Sequence, residues 1–164
     1  MSRFCTLCSS SKGNCYYISG GGTSLLVDAG IGPRNLKNAL DSLDVRLEEL
    51  RGIVITHEHT DHIKGLCSLT RKLKLPVYAS AGTLSALEAM GAVPPEAVFI
   101  ELAGEQELGG IGIRSFPTPH DAVDPVGLRF SMPDGRTVGI ATDLGHVNDV
   151  IRTALTGCDL VLLE

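Results

Sequence analysis

Four side chains that can bind a metal ion stand close together in the sequence, at His57, His59, Asp61 and His62. They include three of the five histidines of the chain. Imidazole nitrogens and carboxylate oxygens are donors that zinc, manganese and iron accept in proteins. A single histidine is usually a solvated residue or a hydrogen-bonded one in the core. This concentration within one short stretch instead favours a metal site.

The flanking elements would direct these side chains toward one space. Residues 52–55 form an apolar, β-branched run, which is typical of a buried strand. Apolar residues at roughly helical spacing over 63–69 predict a helix that begins near Asp61. His57 and His59 share one face of an extended chain, because alternate residues do. The spacing differs from H-E-x-x-H, in which the histidines lie one helical turn apart. We therefore interpret the stretch as part of a dinuclear metal site.

Two further candidate ligands follow predicted strands in the second half of the chain. His120 lies in a proline-stiffened loop after residues 111–116, and Asp143 follows residues 138–142. A carboxylate at the end of a strand can bridge two cations through its two oxygens. Taken alone, the aspartate would be read as a cap and the histidine as a surface residue. Their positions at strand ends make both of them candidate metal ligands once the first cluster is accepted.

Asp28 occupies a similar position, directly after the apolar run 25–27. A carboxylate there could hydrogen-bond the second nitrogen of a metal-binding histidine and so orient its ring. It could equally cap the turn at residues 29–30. The sequence does not distinguish these two roles.

The rest of the chain predicts a layered α/β sandwich with helices toward its outer faces. Strands are expected over 3–7, 15–18, 23–27, 52–55, 77–79, 98–102, 111–116, 126–132, 136–141 and 159–163. Besides the helix that follows the histidine cluster, helices are expected over 33–43, 83–90 and 147–155.

Composition and charge limit the possible functions. The chain has 164 residues, 43% hydrophobic and 20% charged, which is enough for one domain with a substantial core. No apolar run approaches the length of a membrane span, and the N-terminus lacks the apolar core of a signal peptide, so a cytoplasmic location is expected. The net charge of -5 argues against a passive nucleic-acid coat. It does not exclude a nuclease, because bound cations reverse the local field.

The five cysteines do not form a recognisable zinc or disulfide pattern. Cys5 and Cys8 have the C-x-x-C spacing, but no second pair completes a four-cysteine site. We expect all five to be reduced and mostly buried.

The order of several motifs resembles the metallo-β-lactamase-fold hydrolases. These motifs are L-L-V-D-A-G, T-H-E-H-T-D-H, P-H and A-T-D-L-G, and the opening F-C-T-L-C-S-S-S-K-G-N-C-Y-Y-I is similar to the YycJ/WalJ-like bacterial group. The resemblance covers essentially the whole chain and implies a four-layer αββα sandwich with two divalent metal ions, zinc, manganese or iron. It implies that His57, His59 and His120 bind the first ion, that Asp61 and His62 bind the second, and that Asp143 bridges them. The group is regarded as cytosolic DNA exonucleases, so a nucleic-acid substrate is implied as well.

The sequence departs from this family in two ways. The family normally takes a last histidine ligand from a segment beyond Glu164, and the apolar run 159–163 ends the sequence without a closing element. We therefore expect residues 1–164 to form one domain that lacks its C-terminal part. The loop at 8–12 is also poorer in glycine than in relatives. His146 is not at a ligand position of the family pattern, so we expect it near the site without binding metal.

The residues favour hydrolysis by metal-activated water over a protein nucleophile. No serine or cysteine belongs to a recognisable triad, whereas Asp61 could orient an attacking hydroxide between two cations. Residues 9–14 and the basic residues Lys64, Arg71, Lys72 and Lys74 could contact a phosphate backbone, or could simply form a hairpin loop and complement a helix dipole. The prediction is a DNA phosphodiesterase. The alternatives are a thioester or lactone hydrolase of the same fold, or a catalytically incomplete metal-binding domain.

Overall fold

Two β-sheets lie face to face in the computed structural model, which describes residues 1–164. The first sheet has six strands in sequential order: β1 (Arg3–Cys8), β2 (Cys15–Gly20), β3 (Thr23–Val27), β4 (Leu50–Val54), β5 (Val77–Ala79) and β6 (Phe99–Glu101). Strands β1 to β3 are antiparallel, and β3 to β6 are parallel. The parallel strands β3 and β4 therefore have their carboxyl ends on the same side.

The second sheet has five strands in the order β11-β10-β9-β8-β7. They are β7 (Glu105–Leu108), β8 (Ile111–Pro117), β9 (Val126–Ser131), β10 (Thr137–Ala141) and β11 (Leu160–Leu163). Both β8 and β10 run antiparallel to β9, so they are parallel to each other. Their carboxyl ends also lie on one side of the sheet.

Five helices and one 3₁₀ turn connect the strands. The helices are α1 (Pro33–Asp41), α2 (Thr60–Ile63), α3 (Leu66–Leu73), α4 (Ala81–Ala89) and α5 (Asp149–Leu155), and the 3₁₀ turn covers Leu47–Glu49. The longest helices, α1 and α4, have nine residues each, and none of the five could span a membrane.

Three apolar clusters separate the four layers. The first lies between the six-stranded sheet and the helices, where Leu26 and Ile53 pack with Leu36 of α1 and Leu66 of α3. The second lies between the two sheets and contains Leu25, the neighbour of Leu26. Adjacent residues enter different clusters because side chains alternate across a strand. A third, small cluster packs α5 on the outer face of the five-stranded sheet. This arrangement confirms the predicted αββα sandwich.

The helix predicted after the histidine cluster is two helices rather than one. It is interrupted at Gly65, whose N–H donates to the carbonyl of Ala29 at 2.8 Å. A Cβ on Gly65 would lie 2.0 Å from the carbonyl oxygen of Ile31. The backbone at residue 65 can therefore approach the backbone of Ile31 this closely only because residue 65 is glycine. The spacing of apolar residues predicts one continuous helix, and this tertiary contact divides it into two.

Two other expectations also need correction. The sequence does not predict the short edge strand β7, because residues 105–107 are all polar and the segment has no apolar run. The cysteines are all free, as expected, but only Cys15 is buried and the other four are partly exposed. A register shift between Thr6 and Cys8 accompanies this partial exposure in β1.

Candidate metal centre

The predicted site residues come together where strands of both sheets end. His57, His59, Asp61 and His62 follow β4, and Asp28 follows β3. His120 and Asp143 follow β8 and β10 in the facing sheet. The parallel relation within each pair of strands brings these loops to one side of the sandwich. Ligand-binding residues in α/β folds commonly lie at the carboxyl ends of parallel strands.

One group of possible metal ligands consists of His57, His59 and His120. One ring nitrogen from each lies within 4.8 Å of the others. His120 Nε2 and His59 Nδ1 are 3.1 Å apart. His57 is buried, while the other two are partly exposed, so the group faces a space that solvent can reach. Three imidazoles in this arrangement form a donor set that zinc and related ions bind.

A second group consists of His57, His62 and Asp143 and shares its histidine with the first. Asp143 Oδ2 lies 2.9 Å from His62 Nε2 and 4.0 Å from His57 Nε2. Asp143 therefore stands between the two histidines. Its backbone adopts a left-handed conformation, with φ of 56°, which is uncommon for a residue other than glycine. Such strain is often concentrated at functional sites.

Asp61 lies at the margin of this second group. Its Oδ2 is 3.6 Å from His62 Nε2 and accepts a hydrogen bond from Asn14 Nδ2 at 3.1 Å. The side chain is 28% exposed, so its carboxylate can reach a bound substrate or water.

Asp28 contacts one of the clustered histidines directly. Its Oδ2 lies 2.8 Å from His62 Nδ1, and both side chains are fully buried. The carboxylate also accepts hydrogen bonds from the backbone N–H of Thr56 at 2.9 Å and from the Thr56 hydroxyl. The N–H groups of Ala29 and Gly30 donate elsewhere, to the carbonyls of His62 and Asn14. Asp28 thus orients the His62 ring and has no hydrogen bond to the turn that follows it.

The hydrogen bond from Asp28 also determines which nitrogen of His62 can bind a metal. In the neutral ring Nδ1–H donates to Asp28, and Nε2 carries the lone pair. That lone pair faces Asp143 Oδ2 at 2.9 Å. Two acceptors at this distance repel each other unless a proton or a cation lies between them.

Buried polar atoms without partners provide an independent test of whether a metal fits. Both His57 Nε2 and Asp143 Oδ2 are buried and have no hydrogen-bond partner. Leaving such a group unpaired costs about 1–3 kcal/mol. The two atoms lie 4.0 Å apart and are of the types that bind divalent transition metals. The residues present therefore fit a metal ion.

The electrostatic environment shifts the pKa values of the two buried histidines in opposite directions. Burial, together with the nearby His62, lowers the pKa of His57 from 6.5 to about 4, so the ring is neutral at ordinary pH. Burial acts in the same direction on His62. There, however, the hydrogen bond and the charge of Asp28, with Asp143 and Asp61, outweigh burial and raise the pKa.

The loop that carries His120 is fastened to neighbouring elements. Glu58 Oε1 accepts a hydrogen bond from the N–H of Val123 at 2.8 Å, and Asp124 Oδ2 accepts one from Gly82 at the start of α4. The N–H of Gly145 donates to the carbonyl of Pro119 at 2.9 Å, which joins this loop to the one that carries Asp143. His120 and Asp143 are therefore held as one unit.

Sequence reasoning did not single out Glu58 or Asn14. Glu58 lies between two candidate ligands, yet its side chain is buried and serves the loop of His120. From the sequence, Asn14 is only one of residues 9–14, which could contact a phosphate backbone. A polar residue directly before the buried strand β2 was the signal that could have identified it. His146 is exposed and belongs to neither ligand group, and its lack of a metal-binding role stays a prediction.

The basic residues near the cluster have structural partners. The Lys64 ammonium donates to the carbonyl of Lys12, and Lys74 forms an exposed ion pair with Glu96 at 3.2 Å. Arg71 and Lys72 lie in the last turn of α3, where positive charge complements the helix dipole. These contacts agree with a structural role and leave a role in substrate binding as a prediction.

Comparison with known proteins identifies relatives for most of the chain. The family described as the beta-lactamase superfamily domain matches residues 23–164. The chain is 36% identical to "Exodeoxyribonuclease YycJ" of Bacillus anthracis, over 99% of this chain and 62% of that protein. It is also 36% identical to "Exodeoxyribonuclease WalJ" of Streptococcus pneumoniae, over 99% of this chain and 61% of the relative. The chain thus spans about three fifths of the length of these curated relatives.

Solved structures share the fold. The metallo-beta-lactamase fold protein YhfI from Bacillus subtilis superposes with a TM-score of 0.80 at 20% identity, and the match covers 98% of this chain and 70% of YhfI. At this identity the similarity establishes the fold alone.

Proposed function

The chain belongs to the β-lactamase superfamily, and we propose that it carries the catalytic residues of a metal-dependent phosphodiesterase that acts as an exonuclease on DNA. The observation on which the proposal depends is the pair of ligand groups that share His57. One imidazole nitrogen binds one ion, so His57 would serve a single cation. Asp143 Oδ2, which lies 4.0 Å from His57 Nε2 and 2.9 Å from His62 Nε2, would be the group shared by two neighbouring cations. The preference for DNA rests on the two relatives named exodeoxyribonucleases.

In this proposal, His57, His59 and His120 would hold one divalent ion, Asp61 and His62 would hold a second, and Asp143 would contribute to both. Zinc, manganese or iron suits these nitrogen and oxygen donors. When bound, such ions lower the pKa of a water molecule and polarise the phosphoryl oxygen.

The remaining steps belong to residues of the chain. Asp61 accepts a hydrogen bond from the attacking water and directs it toward phosphorus. Asn14 donates to its Oδ2, the oxygen 3.6 Å from His62 Nε2 that would also hold the second ion, so Oδ1 would take the water. Asp28 keeps the proton of His62 on Nδ1, so that Nε2 stays available to the site. The acidic character of the chain, with a net charge of -5, would repel a phosphodiester unless cations occupy the centre.

The proposal is tested by measuring metal content and DNA hydrolysis on the same preparations. Purified protein is analysed for zinc, manganese and iron, and then incubated with duplex DNA carrying a labelled end, with added zinc or manganese. We expect about two ions per chain and stepwise release of nucleotides that chelation abolishes. A double variant, His57→Ala with His59→Ala, should lose both metal and cleavage, whereas Asp149→Asn on the exposed first turn of α5 should retain both.

Other outcomes identify the alternatives. Metal uptake with hydrolysis of a thioester or lactone, but not of DNA, would replace the nuclease by an acyl hydrolase of the same fold. Metal uptake without any hydrolysis would indicate a metal-binding domain that is catalytically incomplete. Metal retained in the double histidine variant would refute the assignment of the site.

A further inference from the structure

Asn14 connects the loop before β2 to two of the candidate metal ligands. Its side chain is buried, with 4% of its surface exposed. The Nδ2 atom lies 3.1 Å from Asp61 Oδ2 and 2.9 Å from His62 Nε2. A single amide nitrogen with two hydrogens therefore faces both of the ligands assigned to the second ion.

The orientation of this amide follows from its partners. Oδ1 accepts a hydrogen bond from the N–H of Ser10 at 3.1 Å, so the opposite atom must be the nitrogen. A flipped amide would place its NH₂ against the Ser10 N–H and its oxygen against the carboxylate of Asp61. Only one orientation satisfies all the contacts, and it directs both hydrogens of Nδ2 toward acceptors.

The backbone around Asn14 holds this side chain in place. The N–H of Asn14 donates to the carbonyl of Asp61 at 2.7 Å, and its carbonyl accepts from Gly30 at 2.8 Å. A Cβ on Gly30 would lie 1.7 Å from the Asp61 carbonyl oxygen, so the three segments can meet only because residue 30 is glycine. Asn14 is thus joined to Asp61 through both its backbone and its side chain.

The hydrogen bonds from Asn14 to His62 and to Asp61 differ in whether metal binding must break them. Because Nδ1–H of the neutral ring donates to Asp28, Nε2 carries the lone pair, and Asn14 donates to this atom, which a metal would also use. A metal that binds Nε2 must displace this hydrogen bond. The hydrogen bond to the Asp61 carboxylate need not break, because a carboxylate oxygen has more than one lone pair.

We propose that Asn14 is a positioning residue, which keeps the Asp61 carboxylate beside His62 Nε2 and preorganises that carboxylate for the second ion. This inference rests on the proposed metal-dependent function. Hydrogen bonds that orient metal ligands in other proteins change metal affinity by about 10–100-fold when they are removed. Asn14 would therefore act on the second ion and leave the three-histidine group unaffected.

The experiment compares Asn14→Ala with Ser10→Ala by metal titration and by NMR. The Ser10→Ala variant removes a hydroxyl that accepts from the Lys12 N–H, and so perturbs the same loop without touching Asp61 or His62. Zinc affinities are measured by competition with a chelator. We expect Asn14→Ala to weaken the second ion about 10–100-fold and the first by less than about threefold. Ser10→Ala should leave both affinities unchanged.

A second measurement works on the metal-free protein. At a pH high enough to keep the His62 ring neutral, the nitrogen resonance of His62 Nε2 should shift in Asn14→Ala, because its lone pair loses a donor, while those of His59 and His120 should remain in place. Three results would overturn the inference: an unchanged His62 resonance in Asn14→Ala, an equal loss of affinity for both ions in Asn14→Ala, or a loss of affinity in Ser10→Ala as large as that in Asn14→Ala. Failure of the wild-type protein to bind metal would instead refute the proposed function. The NMR comparison would still decide whether Asn14 contacts His62.

Discussion

Asp28 Oδ2 and His62 Nδ1 lie 2.8 Å apart in a fully buried pair that joins the end of β3 to the start of α2. This contact couples the stability of the fold to the orientation of a candidate metal ligand. It also leaves His62 Nε2 with a lone pair that faces Asp143 and Asn14.

Replacing Asp28 should therefore affect both stability and metal binding. Asp28→Ala leaves a buried imidazole and the N–H of Thr56 without their acceptor. We expect the free energy of unfolding of the metal-free protein to fall by about 3–5 kcal/mol, as when a buried pair loses one partner. Metal affinity should fall about 10–100-fold. Urea denaturation and chelator competition measure the two effects.

The control for this change is Asp41→Ala, which removes an exposed carboxylate paired with Lys37 on α1. An exposed pair of this kind contributes less than about 1 kcal/mol, and it is remote from the metal ligands. Equal losses of unfolding free energy and metal affinity in the two variants would show that the effect of Asp28 does not depend on its burial or on its contact with His62.

Asp143→Asn tests whether one carboxylate serves both ions. Asp143 Oδ2 approaches His57 at 4.0 Å and His62 at 2.9 Å, and these histidines belong to different ions in the proposal. The amide keeps the size of the side chain but removes its negative charge, so the affinity for both ions should decrease by at least about tenfold. Calorimetric titration with zinc resolves the two affinities. Loss of only one ion would refute bridging, and Asp121→Asn, an exposed neighbour of His120, should bind as the wild type does.

Glu58 should determine the position of His120 through Val123 rather than through metal binding. Glu58→Ala leaves the Val123 N–H without its acceptor, whereas Glu58→Gln keeps an oxygen at Oε1. The other oxygen, Oε2, is buried without a partner, so replacing it by NH₂ removes no hydrogen bond. Faster hydrogen exchange at the Val123 amide is expected in the alanine variant and near wild-type exchange in the glutamine variant. Identical exchange in the two variants would contradict this role.

The two buried histidines should titrate in opposite directions in the metal-free protein. Burial and the nearby His62 lower the pKa of His57 to about 4, while Asp28, Asp143 and Asp61 raise that of His62 against the effect of burial. NMR titration should find His57 neutral at pH 5 to 6, where His62 is protonated. Metal binding at His62 should accordingly release a proton over a pH range in which binding at His57 does not.

The same shift affects the pH dependence of stability. In the unfolded chain His57 takes up a proton near its ordinary pKa of 6.5, whereas in the folded chain it does so only at about 4. Between these values the unfolded state binds more protons, so the free energy of unfolding falls as the pH decreases. His57→Gln removes this contribution, and denaturation of the metal-free variant should show a smaller loss of stability over that range. A slope equal to that of the wild type would contradict the lowered pKa.

Local sequence patterns were sufficient to predict most of the elements. The apolar run before His57 marks β4, and strand-like segments mark four of the five strands of the facing sheet, β8 to β11. These predictions succeed because the period of apolar residues depends on local geometry, which residues near in sequence determine. The position of the candidate ligands at strand ends follows from the same patterns.

Contacts between distant residues could not be predicted in this way. The order of strands brings Asp28 to His62, Asn14 to Asp61, and Glu58 to Val123, across separations of 34, 47 and 65 residues. The break between α2 and α3 at Gly65 likewise depends on the backbone of Ala29. The periodicity of a sequence contains no information about which strands are neighbours. The sequence alone therefore determined the types of ligand and the elements that carry them. The packing of the two sheets decided which distant side chains contact the candidate ligands, because only packing brings the ends of β3, β4, β8 and β10 together.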